Sequence, residues 1–144
     1  MKFSLQLLAI LALCCFSNNG ISGEKKVAGY IVHYNALASD FLSPEIASSY
    51  GITRSRDIAL LNVTVQREDE NGQNAAVDAT LKATATNLSN KLKRLNLRRI
   101  ADGDAIYHIA EFKVIDQEII NFSITAFDKE KEITTIEFRQ QFFK

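Results

Sequence analysis

From Ala75 to Thr86 the chain alternates: Ala75, Val77, Ala79, Leu81, Ala83 and Ala85 fall on one side, Asp78, Thr80, Lys82, Thr84 and Thr86 on the other. Successive side chains of an extended chain point to opposite faces of a sheet, so this period of two predicts a long strand with one face buried. Alanine weakens strand preference, which makes an amphipathic helix the competing reading. A helix would spread these apolar residues around its circumference, and the β-branched threonines disfavour it. A strand with one apolar face needs neighbours and a second layer to cover that face, so the pattern points to packed sheets.

Similar runs occur at Val27–Leu37, Ala59–Gln66, Leu92–Ile100, Ala105–Phe112, Glu118–Ala126 and Ile133–Phe143. Glu70-Asn71-Gly72 and Asp102-Gly103-Asp104 accommodate positive backbone angles and read as hairpin loops, and Asp128-Lys129-Glu130-Lys131 as a charged connection. The expected fold is all-β and mainly antiparallel: an Ig-like two-layer β-sandwich of about seven strands. Periodicity alone leaves a closed barrel as the alternative. One stretch breaks the rhythm, Ser43 to Gly51, and predicts a short helix. Ser43 suits its cap, Pro44 its first position, and Gly51 a left-handed exit.

The amino terminus has a different character. Lys2 precedes an apolar run from Leu5 to Phe16, followed by the small and polar residues Ser17 to Gly23. This is the layout of a secretory leader, with cleavage expected after Ser22 or Gly23. The chain therefore divides into a leader, 1–23, and one domain, 24–144, expected in the periplasm. Cys14 and Cys15, the two cysteines of the chain, both lie in the leader, so the processed domain holds no thiol. Acylation of Cys14 or Cys15 is the rival fate; Leu13 and Cys14 precede them where a lipid-attachment site favours a small residue. Loss of Lys2 leaves 16 basic against 17 acidic residues, mixed along the chain. That balance argues against nucleic acid or an anionic membrane as the main partner. The basic cluster Lys91, Lys93, Arg94, Arg98 and Arg99 reads as a solvated strand edge.

His33-Tyr34-Asn35-Ala36, Phe41-Leu42 before Pro44-Glu45, Tyr50-Gly51-Ile52-Thr53-Arg54-Ser55 and Leu61-Asn62-Val63 together resemble the DUF4426 family of small secreted or periplasmic bacterial proteins. Gly103-Asp104-Ala105-Ile106-Tyr107 and the ending Phe138-Arg139-Gln140-Gln141-Phe142-Phe143 fit the same family. The resemblance spans nearly the whole domain. It implies a compact, mostly β domain of Gram-negative bacteria and carries no established activity.

Chemical motifs are sparse. The two histidines, His33 and His108, fall on different strands with no partner at metal-ligand spacing; Glu111 could join them only across a sheet. No metal site and no cofactor are expected. Asp102-Gly103-Asp104 lacks the ladder of oxygen ligands of a calcium loop. A Gly-x-Ser-x-Gly elbow and a Gly-rich phosphate cradle are missing, and Glu68, Asp69 and Glu70 crowd a hairpin tip where charge serves solvation. The three sequons at Asn62, Asn87 and Asn121 read as chance.

The segment from His33 to Arg56 holds the candidate binding residues: His33, Tyr34, Asn35, Tyr50, Arg54 and Arg56. Aromatics beside arginine are favoured interface anchors, and arginine grips carboxylates with two parallel bonds. The architectural reading has Tyr34, Phe41 and Tyr50 plugging the sandwich end while Arg54 pairs with Glu45. The functional expectation is a non-catalytic binding or accessory module for an envelope protein or peptide. Its second contact route is the carboxy-terminal strand Ile133–Phe143, read as an edge with Phe142 and Phe143 exposed. The alternative is a small-ligand binder or weak hydrolase using His33, Asn35, Tyr50 and Arg54.

Overall fold

Ten strands form among residues 21–144, the part of the chain that the computed structural model describes. In chain order they are β1 (Ile21–Val27), β2 (Tyr30–Ala38), β3 (Ile58–Glu68), β4 (Asn74–Ala76), β5 (Thr80–Asn87), β6 (Leu92–Leu95), β7 (Arg98–Asp102), β8 (Ala105–Lys113), β9 (Ile119–Asp128) and β10 (Lys131–Gln141). Every pairing is antiparallel. One sheet has the order β1-β2-β3-β8-β7, with β4 also on β3; the other has the order β10-β9-β5-β6. The two sheets form a β-sandwich, not a barrel. The leader falls almost entirely outside the described residues; Ile21 to Gly23, at its expected boundary, pair with Ala36 to Tyr34 in β1.

The core lies between the sheets. Val32, Leu61, Val63 and Val65 face it from the first sheet, and Phe122, Ile124 and Ala126 from the second. Phe122 stacks on Phe138 at 4.8 Å, and Phe112 meets Phe142 edge-on at 5.9 Å. Each such aromatic pair adds about 0.5–1.5 kcal/mol to the gain from buried area. A second, smaller core lies on the outer face of the first sheet, where Ala47 and Ile52 cover Leu60, Tyr107 and Ile109.

Three expected strands each prove to be two. Val27–Leu37 is broken by a hairpin at Ala28 (φ 49°) and Gly29 (φ 80°), two left-handed residues in the manner of a type I′ turn. The alternation from Ala75 to Thr86 spans a sheet change: β4 belongs to the first sheet and β5 to the second. Val77 N–H donates to Val65 C=O at 2.8 Å and Ala79 N–H to Val77 C=O at 2.9 Å, turning the chain within three residues. Leu92–Ile100 likewise divides into β6 and β7, the edge strands of different sheets. Phe142, expected at the surface, is buried against Phe112 and Phe122, whereas Phe143 is exposed.

Between β2 and β3 the chain makes one long excursion: a 3₁₀ turn (Ser39–Phe41) and α1 (Pro44–Ser49). Ser43 Oγ accepts from Ile46 N–H, Pro44 opens the helix, and Gly51 (φ 62°) follows the Tyr50 cap, as the sequence predicts.

Candidate functional site

The excursion covers only part of the sheet beneath it, and this defines the site. On the β7–β8 side Ile100, Tyr107 and Ile109 form an apolar outward patch on which α1 packs through Ala47, with Arg98, Asp102 and Glu111 on the same face. On the β1–β2–β3 side most outward positions away from the excursion are polar, with Ile31 among them. Register sets Glu24 beside His33 and His33 beside Thr64, and Ser22 beside Asn35 and Asn35 beside Asn62. His33 Nδ1 lies 3.4 Å from Glu24 Oε2, an ion pair when the ring is protonated, and its Nε2 lies 3.4 Å from Gln66 Oε1. Asn62 is buried at the step between the halves, and its Oδ1 has no hydrogen-bond partner among the described residues. An unpaired buried carbonyl costs about 1–3 kcal/mol, so this spot is held by its neighbours and not by its own bonding.

The six candidate residues do not converge. His33 and Asn35 point outward on the bare half. Tyr34, between them on β2, points inward and packs on Phe138 at 4.9 Å, and a Cβ at Gly23 would overlap its ring. Tyr50 donates its hydroxyl to Asp102 Oδ2 at 2.8 Å, and burial, then that bond, push its pKa far above the ordinary value. Arg54 does not pair with Glu45. Its Nε donates to Leu42 C=O at 2.7 Å and an Nη to Asp40 C=O at 3.0 Å, fastening the start of the excursion. Arg56 reaches Asp40 Oδ2 at 3.6 Å from an exposed position. Ser39 completes the fastening, giving its hydroxyl to Thr53 C=O at 2.7 Å and accepting from Ser55 N–H at 2.8 Å. Arg54 and Arg56 thus sit beyond the carboxyl end of β2, roughly 20 Å along the strand from His33 at about 3.3 Å per residue.

The histidines are separated in another way. His33 faces outward, whereas His108 on β8 faces the core, opposite in sense across the same sheet. Burial pulls the His108 pKa below its ordinary 6.5, with the Asp78 charge opposing. Asp78 is held by Arg99 Nε at 2.8 Å, and its pKa is lowered by that bond. Among the described residues, no group of three or more His, Cys, Asp or Glu side chains stands close enough to hold a metal ion. Nor is any helix long and apolar enough to cross a membrane.

Glu24, Thr64 and Gln66, the neighbours that give His33 its setting, escaped the sequence reading. The signal was present in the β3 pattern, where Asn62, Thr64 and Gln66 alternate with Leu61, Val63 and Val65. What the pattern lacked was the register that brings Glu24 of β1 alongside.

The family model for DUF4426, a domain of unknown function, matches residues 24–144. The chain belongs to the DUF4426 family. A crystal structure of a DUF4426 protein from Pseudomonas aeruginosa is similar at 29% identity and a TM-score of 0.71, covering 85% of this chain and 94% of that one. FetP of uropathogenic Escherichia coli strain F11, expressed recombinantly in the periplasm of E. coli, shares the fold at 8% identity and a TM-score of 0.59. It covers 88% of this chain and 98% of its own. A copper-bound variant of the same FetP gives 10% identity and a TM-score of 0.58, with the same coverage. None of the curated proteins matches this DUF4426 domain.

Proposed function

We propose that this DUF4426 domain is a non-catalytic binding module of the bacterial envelope that engages an envelope protein or an extended peptide through the bare half of its first sheet. One observation carries the reading. The outer face of that sheet carries an apolar patch where α1 covers it and a mainly polar surface where nothing does, with His33, Asn35, Thr64 and Gln66 half-exposed in adjacent rows beside Ile31. Such a row offers donors and acceptors at fixed spacing.

The leader-like residues 1–23 and the periplasmic expression of FetP support an envelope location. The hydrolase alternative draws no support from the geometry, since Tyr50 and Arg54 are engaged by Asp102, Asp40 and Leu42.

The test is site-specific photocrosslinking in living cells. A photoreactive side chain at His33 or Asn35 is expected to give one discrete adduct, and the same group at Lys82, on the outward face of the other sheet, none. Identical or absent adducts at the three positions would overturn the reading.

A further inference from the structure

All five large apolar side chains exposed among the described residues lie toward one end of the sandwich. They are Phe41, Leu88, Leu92, Ile115 and Phe143. At this end β2, β5, β8 and β10 finish and β6 and β9 begin. The tight turns of the opposite end carry small, polar or charged residues: Ala28-Gly29, Asp69 to Gln73, Gly103-Asp104 and Lys129-Glu130. Isolated exposed apolar residues are ordinary; all of them collected at one end are not.

Three of the loops are clamped to one another by a single residue. Glu118 Oε2 accepts from Ile115 N–H at 2.9 Å, its Oε1 accepts from Asn87 Nδ2 at 3.3 Å, and its carbonyl accepts from Phe142 N–H at 2.9 Å. Each bond anchors a residue that is, or directly precedes, one of the exposed apolar residues: Ile115 itself, Leu88 after Asn87, and Phe143 after Phe142. Asn87 Oδ1 further accepts from Ser89 and Lys91 N–H, fixing the loop before Leu92. The apolar tip is therefore built in advance, with little ordering entropy left to lose on contact.

Charge selects the partner. Most side-chain carboxylates of these loops have partners within the fold: Glu118 in the clamp, Asp116 with Lys144 N–H, Asp57 with Lys144 Nζ and Asp40 with Arg56, while Glu45 on the excursion is exposed. Lys91, Lys93 and Arg94 are exposed beside Leu92 and form no ion pair among the described residues. A preformed apolar tip beside exposed cations that form no ion pair complements an anionic bilayer surface, where the side chains enter the headgroup boundary and the cations meet phosphate. We propose that this end of the sandwich docks on an anionic phospholipid surface and leaves the His33 face free.

The chain has no tryptophan, so one can be placed as a reporter. In protein purified after export, Ile115→Trp is expected to blue-shift on phosphatidylglycerol vesicles and to be quenched by brominated lipid. Pure phosphatidylcholine should act weakly, and Asn71→Trp at the opposite end should not respond. Adding Leu88→Ser and Phe143→Ser should weaken partitioning about tenfold or more, by loss of apolar insertion. These sites are exposed, so the melting temperature reports whether each variant folds, and Phe143→Trp replaces Ile115→Trp if the latter does not. A folded Ile115→Trp variant whose emission ignores the vesicles, or equal responses at both ends, would overturn the proposal. So would a blue shift without vesicles that grows with protein concentration, which would assign the tip to a second copy of the chain.

Discussion

Two buried polar residues show how differently the same degree of burial can act. Ser39 is fully buried, yet its hydroxyl joins Thr53 and Ser55 and ties the two ends of the excursion together. Ser39→Ala leaves Ser55 N–H and Thr53 C=O to find other partners, and a loss of about 1–3 kcal/mol in denaturant unfolding is expected. His108 is buried with Nδ1 unpartnered among the described residues, beside Arg99 and Asp78. Its folded pKa lies below 6.5, the ordinary value that the unfolded chain shows. Between those two pH values the unfolded chain binds the extra proton, so stability is present above about 6.5 and falls as the pH drops toward the folded pKa. The limit for one such group is about 1.4 kcal/mol per pH unit. Asp57 and Asp78, both lowered from 3.8, act with the same sign only in stronger acid. Urea midpoints at pH 7.5, 6.5 and 5.5 should therefore decline on acidification, and His108→Gln should flatten that decline. An unchanged slope in the variant would assign the acid sensitivity elsewhere.

At the scale of elements, the turns carry the clearest prediction. Ala28 holds φ 49° in the β1–β2 hairpin, a conformation that costs an L-residue with a Cβ roughly 1–2 kcal/mol. Asparagine tolerates it far better, and Asn-Gly is the preferred pair for this turn. Ala28→Asn should raise stability by about 0.5–1 kcal/mol, read as an increase in the melting temperature, with no change to either face of the sheet. The same hairpin marks a limit of reading the sequence. Ala28-Gly29 lacks the usual Asn or Asp, so Val27–Leu37 passed as one strand. The corner at Val77–Ala79 was hidden for another reason. Val77 and Ala79 both pack into the central core on either side of the turn, so the period of two continues across a change of sheet. Alternation reports which face a residue takes, not which sheet it belongs to. The α1 segment was legible because its cap, its proline and its glycine act locally. The candidate site was legible only as single residues. His33 and Asn35 share a face, but Tyr34 alternates away and Arg54 is turned to backbone carbonyls that no spacing rule could name.

For the molecule as a whole, the order in which the chain visits the sheets governs how it unfolds. The first sheet takes residues from both sides of β5 and β6, and the second takes residues from both sides of β7 and β8. The chain crosses between sheets after β4, after β6 and after β8, so neither layer is a continuous stretch that can fold alone. The central core requires both layers at once: Phe112 of β8 packs on Phe122 of β9 at 5.6 Å and on Phe142 beyond β10. The smaller outer core depends on Leu60, Tyr107 and Ile109, whose strands are fixed by that same central core. Unfolding should therefore be a single transition, with far-ultraviolet circular dichroism and tyrosine fluorescence giving the same midpoint. Tyr50 and Tyr107 lie in the outer core and Tyr30 and Tyr34 pack in the central one, so tyrosine fluorescence samples both. Phe112→Ala should cost about 3–5 kcal/mol and move both midpoints together. If the tyrosine signal were instead to change before the far-ultraviolet signal, the excursion would be a separate unit resting on an independently stable sandwich. In that case the excursion could open while β2 and β3, the strands it joins, stayed in place.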